Sequence, residues 1–179
     1  MPNRSMNFSF TIKADNTTSF INHWSERYEY SSEPKYTRNI GKPLTETSRR
    51  ELFEWKNGSA ISSAKLRSIE INYPLTFTGD IHTRYLSSKN GGGAIWNIFY
   101  AHCLAPEKYP MFDQHVFRAM RYLKNSKIEE IPSNDNSKIS IYLEEYIDFH
   151  TALGKWEERK ADKALFTFGR FLKIAKEFV

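Results

Sequence analysis

The run 94–104 constrains the fold of this chain more than any other stretch. It reads AIWNIFYAHCL, with apolar side chains at nearly every position, so it offers no polar face to water. A helix with that pattern belongs at the centre of a folded domain. Three consecutive glycines, Gly91, Gly92 and Gly93, precede it directly, and Pro106 and Pro110 follow it. The sequence therefore predicts a buried central helix from Ala94 to Leu104, which begins at a tight turn and ends in a loop.

Two further helices are predicted on either side of this one. Residues 80–86 favour a short helix before the glycines, with 87–90 as the turn between them. After the loop, Asp113 is expected to open another helix, because acidic residues are typical of helix starts. Its apolar stripe at helical spacing is Phe112, Val116, Met120 and Leu123.

The rest of the chain also has mainly helical periodicity. We predict a helix with a Ser48–Glu51 capping box and a stop at Gly58, and a second one over 61–69 that turns extended at 69–73. Segments 31–43 and 133–138 are expected to be connections, and a short strand is plausible at 8–12. Further apolar stripes at helical spacing are the following: Phe20, Trp24, Tyr28; Ile139, Tyr142, Leu143, Tyr146, Leu153; Leu165, Phe168, Leu172, Ala175.

The predicted fold class is therefore all-α, a compact orthogonal helical bundle. Residues 1–179 are expected to form a single domain, with 1–43 as an N-terminal elaboration. Cys103 is the one cysteine, so no internal disulfide can form, and no apolar run is long enough to span a bilayer. We expect a cytoplasmic monomer that has no membrane partner.

Charge is unevenly distributed along the sequence. The whole chain carries a net charge of +5, and the stretch 81–127 alone holds seven Lys or Arg against two Asp or Glu. This predicts a positive field around the glycines and Asp113, which would suit a polyanionic partner. A solvated basic helix face is the alternative explanation.

The central stretch resembles the helix-hairpin-helix DNA glycosylase superfamily, of the 8-oxoguanine DNA glycosylase-like kind. The residues that carry the resemblance are Gly91-Gly92-Gly93, Asp113-Gln114-His115-Val116 and Arg118, at a separation that needs no insertion. The resemblance covers about a fifth of the chain. It implies a hairpin that grips double-stranded DNA and an Asp that acts on the deoxyribose.

Two positions depart from the family pattern. Many family members have a lysine that attacks the sugar where this chain has Ile95. An aliphatic side chain cannot form a Schiff base, so any base excision would be monofunctional hydrolysis. Asn97 replaces a small residue of the hairpin helix. A monovalent cation at the hairpin carbonyls is implied by the resemblance alone, and no other cofactor is expected.

The chemistry implied is hydrolysis of the N-glycosidic bond of a damaged or modified base. Asp113 would be the catalytic carboxylate, which stabilises the sugar cation or orients the attacking water. Free amides at the start of the 94–104 helix would hold a phosphate. The DNA-binding candidates are Lys89, Asn90, Gly91, Gly92, Gly93, Ala94, Arg118 and Arg121.

A flipped base also needs an aromatic pocket. The candidates nearest in sequence are Trp96, Tyr100, Tyr109, Phe112 and His115, although core packing is the simpler role for each aromatic ring. The histidines and the single cysteine lack the spacing of metal ligands, so we predict no metal site. The base excised, and a role in repair or in defence against foreign DNA, do not follow from the residues.

Two other functions remain open. A non-catalytic helix-hairpin-helix module would bind DNA and leave every base in place. A protein-interaction domain would use the basic face for an acidic partner. Asp113 could be only a helix cap, which is the alternative to catalysis. The catalytic assignment requires a carboxylate that faces the sugar near the glycine turn, and an Asp113 held in a salt bridge would contradict it.

Overall fold

The computed structural model describes residues 16–87 and 92–178, and in that part of the chain helices are the regular secondary structure, with no strand. The predicted all-α class is therefore confirmed. The possible strand at 8–12 lies outside the described residues. No helix in the described ranges has the length and apolar character needed to cross a membrane.

The α-helices follow one another along the chain with short connections. They are α1 Thr17–Ser25, α2 Glu33–Thr37, α3 Glu46–Asn57, α4 Ser63–Asn72, α5 Ile81–Tyr85, α6 Ala94–Leu104, α7 Gln114–Asn125, α8 Asp135–Ile141, α9 Ile147–Ala152 and α10 Lys160–Ala175. A π-helical turn, Tyr142–Tyr146, joins α8 to α9, and 3₁₀ turns at Glu157–Arg159 and Lys176–Phe178 flank α10.

The chain forms two compact units, each assembled from separate segments. Unit 1 comprises 1–28, 114–130 and 153–179, and therefore holds α1, α7 and α10. Unit 2 comprises 29–113 and 131–152, and holds α2 to α6, α8 and α9. The expectation of a single domain over 1–179 stays a prediction.

The core of unit 2 is built around α6. Its side chains Ile98, Phe99 and Tyr100 are fully buried, as the apolar sequence of this helix predicts. Phe99 and Tyr100 pack in one cluster with aromatic residues of α3 and with Tyr73, which directly follows α4. The hydroxyl of Tyr100 donates to the carbonyl of Pro74, which satisfies a polar group inside this apolar surrounding. The predicted central helix, with its exact bounds, is confirmed.

Unit 1 depends on a close crossing of α7 and α10. A Cβ added at Gly169 of α10 would overlap the backbone carbonyl of His115 in α7. Glycine is therefore needed here so that the two backbones can approach each other, and not for its freedom in φ. Around the crossing, Phe168 packs edge-to-face against Phe20 of α1 and against Tyr122 of α7.

Two predicted connections contain helices. Segment 31–43 includes α2, where Pro34 sits in the first turn and so removes an N–H that has no helical partner there. Segment 133–138 includes the start of α8, whose N-cap Asn134 accepts a hydrogen bond from the Ser137 amide. Only a few residues mark the start of α2 and the start of α8, and the polar composition around them hid these starts.

Three boundaries also differ from the predictions. The capping box of α3 uses Thr45 and Ser48 instead of Ser48 and Glu51. Helix α4 continues to Asn72, so the alternation over 69–73 does not mark an extended segment. In α7 the predicted stripe is buried except for Leu123, which is exposed.

Candidate functional site

The described glycines before α6 have the backbone that the tight turn predicts. Gly92 and Gly93 have φ values of +103° and +82°, which side chains rarely tolerate. The hydroxyl of Tyr73 lies 3.1 Å from the Gly92 carbonyl and 2.9 Å from Asn97 Oδ1, and can donate its one hydrogen to either. Asn97 is buried, and this bond explains how α6 accommodates a polar residue there. Lys89, Asn90 and Gly91 lie outside the described residues.

The amino end of α6 already has an anion beside it. The Asp135 carboxylate accepts a hydrogen bond from the Ala94 amide, and its Oδ1 lies 2.7 Å from Lys138 Nζ. Lys138 and the Ala94 N–H hold the pKa of Asp135 below its usual range. The position predicted for a DNA phosphate is therefore taken by a side chain of the same unit. A phosphate could bind there only after Asp135 moves away.

Asp113 is held in an ion pair. Its Oδ2 lies 3.2 Å from Lys56 Nζ, and the side chains of Lys56 and Asp113 are 7% and 18% exposed. Lys56 also donates to the Phe112 carbonyl at 3.1 Å and lies over the Phe99 ring. An ammonium so close offsets the negative potential that a sugar cation would meet. Asp113 could therefore act on a sugar only after this pair opens, and its catalytic role stays a prediction.

The indole of Trp96 contacts two other side chains of unit 2. It stacks on Phe53 with an interplanar angle of 1° and a centroid distance of 5.1 Å. Lys65 Nζ lies 4.4 Å from the indole centroid in a cation–π contact, and it also donates to Asn57 Oδ1 at 2.6 Å. A flipped base could stack on Trp96 only if Lys65 were displaced.

The other predicted pocket residues make packing contacts inside their own units. Tyr100, Tyr109 and Phe112 are buried in the core of unit 2. Phe112 packs against two tyrosine rings of the π-helical turn, at centroid distances of 5.4 and 4.9 Å. His115 packs edge-to-face on Phe166 in unit 1. These four residues are therefore corrected to packing roles, because their rings contact other protein rings or backbone.

The two arginines predicted to bind DNA both pair with acidic residues of unit 1. Arg118 is buried at 1% exposure, donates to the Gly169 carbonyl at 3.0 Å and pairs with Glu130 at 2.7 Å. Arg121 Nε lies 3.4 Å from Glu129. Arg118 cannot reach DNA from this position, so its assignment is corrected: it joins α7 to α10 at their crossing.

Charge is segregated between the units more clearly than along the sequence. Unit 1 contains fourteen Lys or Arg and eight Asp or Glu, a net charge of +6, whereas unit 2 contains twelve and thirteen, a net charge of −1. The stretch 81–127 is divided between the two units: four of its seven cations belong to unit 1, whereas the glycines and Asp113 belong to unit 2. Exposed cations of unit 1 include Lys124, Lys127, Arg170 and Lys173.

Sequence reasoning missed Lys56, Lys65 and Asp135. Each makes its contact over a long sequence separation, so no spacing rule points to it. A buried lysine at position 56 could have been suspected only from its place on α3, beside Trp55 and opposite the exposed side. The Asn134 cap that positions Asp135 was readable from the sequence but lay inside a segment interpreted as a connection.

The described residues contain no cluster of His, Cys, Asp and Glu that could hold a metal ion. Burial raises the pKa of the Cys103 thiol, so this residue is a packed side chain and not a nucleophile. In the comparisons with known proteins, no family model, no curated protein and no solved structure matches this chain.

Proposed function

We propose that the chain binds double-stranded DNA and does not excise bases. The observation that carries this proposal is the charge of unit 1, +6 against −1 for unit 2. Lysine and arginine side chains neutralise phosphates and release counterions, which drives binding without reading sequence. The order of helix α5, a glycine turn, helix α6, a loop and Asp113 before α7 also follows the pattern that the resemblance implies. The proposal takes the chain as a cytoplasmic monomer.

A second contact in this proposal is the amino end of α6. A DNA phosphate would replace the Asp135 carboxylate at the Ala94 amide, since both are anions and the helix dipole favours either. Lys138, released from Asp135, would remain nearby as a cation. Such contacts fix the register of a protein on the duplex and carry no base specificity.

The test is a titration of a labelled duplex by fluorescence anisotropy at several salt concentrations. We expect affinity to fall by about a thousandfold between about 50 and 200 mM salt if some six phosphates are contacted. A parallel titration with an acidic polypeptide such as polyglutamate separates DNA binding from general attraction to anions. Absent binding, or binding that salt does not change, would overturn the proposal.

Base excision is the second candidate, and one observation favours it. The Asp113 carboxylate lies directly before α7 and is partly exposed, so opening the pair with Lys56 would uncover it. An ion-paired carboxylate stays charged, as a stabiliser of a sugar cation must be. Two features argue against it: Lys56 neutralises the charge, and Lys65 covers the indole of Trp96. We therefore rank excision below binding alone.

A screen of duplexes with damaged or modified bases, followed by heat and alkali cleavage, separates the two candidates. Binding alone predicts no abasic sites on any duplex. Release of a base by the parent protein and not by Asp113→Asn would establish the catalytic role instead. Asp148→Asn, an exposed acid of α9, is the matched control for the change of charge.

A further inference from the structure

The end of α10 exposes a row of apolar side chains beside cations. Phe171, Ile174 and Phe178 are 38%, 59% and 78% exposed. Phe171 and Ile174 are three residues apart in α10 and therefore on one side of it, and Phe178 follows four residues later in the 3₁₀ turn after α10. Arg170 and Lys173, also exposed, lie beside them. We call these five residues the α10 face.

The α10 face is distinct from the packing side of the same helix. Leu165, Phe168 and Leu172 are buried in unit 1 and hold α10 in place. Phe171 contacts Trp24 of α1, with the two ring centroids 5.3 Å apart. Ile174 and Phe178 are more exposed than Phe171. Exposed apolar residues in a contiguous row are typical of interaction surfaces, whereas single ones need no explanation.

Charge decides which occupant fits this face. The exposed charges beside the row are Arg170, Lys173 and Lys176 against Glu177, a net charge of +2, so a second copy of the chain would bring two positively charged borders together. DNA would pair with the two cations but would leave Ile174 and Phe178 exposed to water. An occupant that is apolar along one row and acidic at its borders satisfies both kinds of side chain.

We propose that the α10 face docks an amphipathic helix of a partner protein, with acidic side chains flanking its apolar row. The spacing of Phe171, Ile174 and Phe178 matches the anchor positions i, i+3 and i+7 by which helices recognise one another. Arg170 and Lys173 select the partner by pairing with the acidic side chains beside its apolar row. The inference goes beyond DNA binding because it rests on the exposed apolar row, although Arg170 and Lys173 are also among the cations of unit 1 on which the DNA proposal depends.

The probes are two synthetic amphipathic peptides of about three heptads with the same apolar positions. One carries Glu at the flanking positions and the other carries Lys there. We expect the full chain to bind the acidic peptide at least about tenfold more tightly than the basic one. Equal affinity for both, or binding of neither at about 100 µM protein, would overturn the proposal.

Variants test whether the acidic peptide binds at the α10 face. Ile174→Asp should weaken the acidic peptide at least about tenfold, and Arg170→Glu with Lys173→Glu should reverse the peptide preference. Ile71→Asp, an exposed apolar residue of unit 2, is the matched control and should change nothing. These side chains are exposed, so circular dichroism melts should stay within a few degrees of the parent.

Two results would assign the face to another occupant and overturn the proposal. One is a dimer of the parent protein in sedimentation that Ile174→Asp converts to monomer. The other is a loss of duplex affinity in Ile174→Asp as large as the loss of peptide affinity. Failure of DNA binding in the parent protein leaves the peptide measurement unaffected, so the two proposals fail separately.

Discussion

Lys56 Nζ lies 3.2 Å from Asp113 Oδ2, and this ion pair determines how the functional candidates rank. The pair joins the end of α3 to the residue directly before α7. Its lysine is nearly buried, so removal of the carboxylate would leave an ammonium with little water around it. Asp113 is therefore expected to contribute to stability whether or not it has a role on DNA.

Loss of this pair should be measurable as a coupling free energy. Asp113→Asn and Lys56→Met should each destabilise the protein, and the double variant should be less destabilised than the sum of the two. We expect a coupling of about 1–2 kcal/mol, between the values for exposed and for fully buried pairs. Urea unfolding of the four proteins measures it. A coupling below about 0.3 kcal/mol would show that the pair is not a stabilising contact.

Asp135 should compete with DNA for the amino end of α6. Asp135→Asn removes the charge that accepts from the Ala94 amide, so duplex affinity is expected to rise about threefold to tenfold. Asp148→Asn makes the same change of charge elsewhere in unit 2, so it shows how much of the gain comes from the net charge alone. Anisotropy titrations at one salt concentration compare them. An equal gain in both variants would mean that α6 contributes no phosphate contact.

Gly169 should be intolerant of a side chain. Gly169→Ala places a Cβ against the His115 carbonyl, so α7 and α10 must separate, at a cost of about 3 kcal/mol or more. Gly41→Ala is the control, because Gly41 has φ +72° but open space around it, and strain alone should cost about 1 kcal/mol. Thermal melts measure both. Similar costs for the two variants would contradict a close crossing.

Glu54 should link stability to pH. Hydrogen bonds from Lys35 and Arg50 hold the pKa of Glu54 below its usual range, at 2.6 and 3.0 Å. Its contribution is therefore complete above the unfolded pKa of about 4.3 and is lost as the pH falls through the lower folded pKa. The difference in melting temperature between parent and Glu54→Gln should shrink from pH 6 to acidic pH, below about 4. Glu46→Gln, in the same helix, is the control, and a difference that grows in acid would be contrary to this account.

The sequence was most informative where a pattern is local. Glycines followed by an apolar run predicted α6 with its bounds. This was possible because consecutive residues determine both the turn and the buried helix after it. Gly58 ended α3 as predicted, with φ +76°. Short helices such as α2 were missed, since five residues are too few to show a period.

Contacts between distant residues could not be predicted in the same way. Arg118 follows Asp113 closely in sequence and was expected to face DNA, but it is buried against Gly169 and Glu130. Lys65 lies over the Trp96 indole, although the two residues are thirty-one positions apart in the sequence. Local spacing indicates which residue types are present near a site, and only the packed structure shows which of them are already paired.

The most direct measurement compares two double charge reversals in one duplex titration. Lys124→Glu with Lys127→Glu changes unit 1, and Lys42→Glu with Arg67→Glu makes the same change of charge at exposed positions of unit 2. If unit 1 carries the affinity for DNA, the first protein should lose about tenfold or more, and the second about threefold or less. Equal losses, or a larger loss from the unit 2 pair, would contradict the proposal that the basic unit binds DNA.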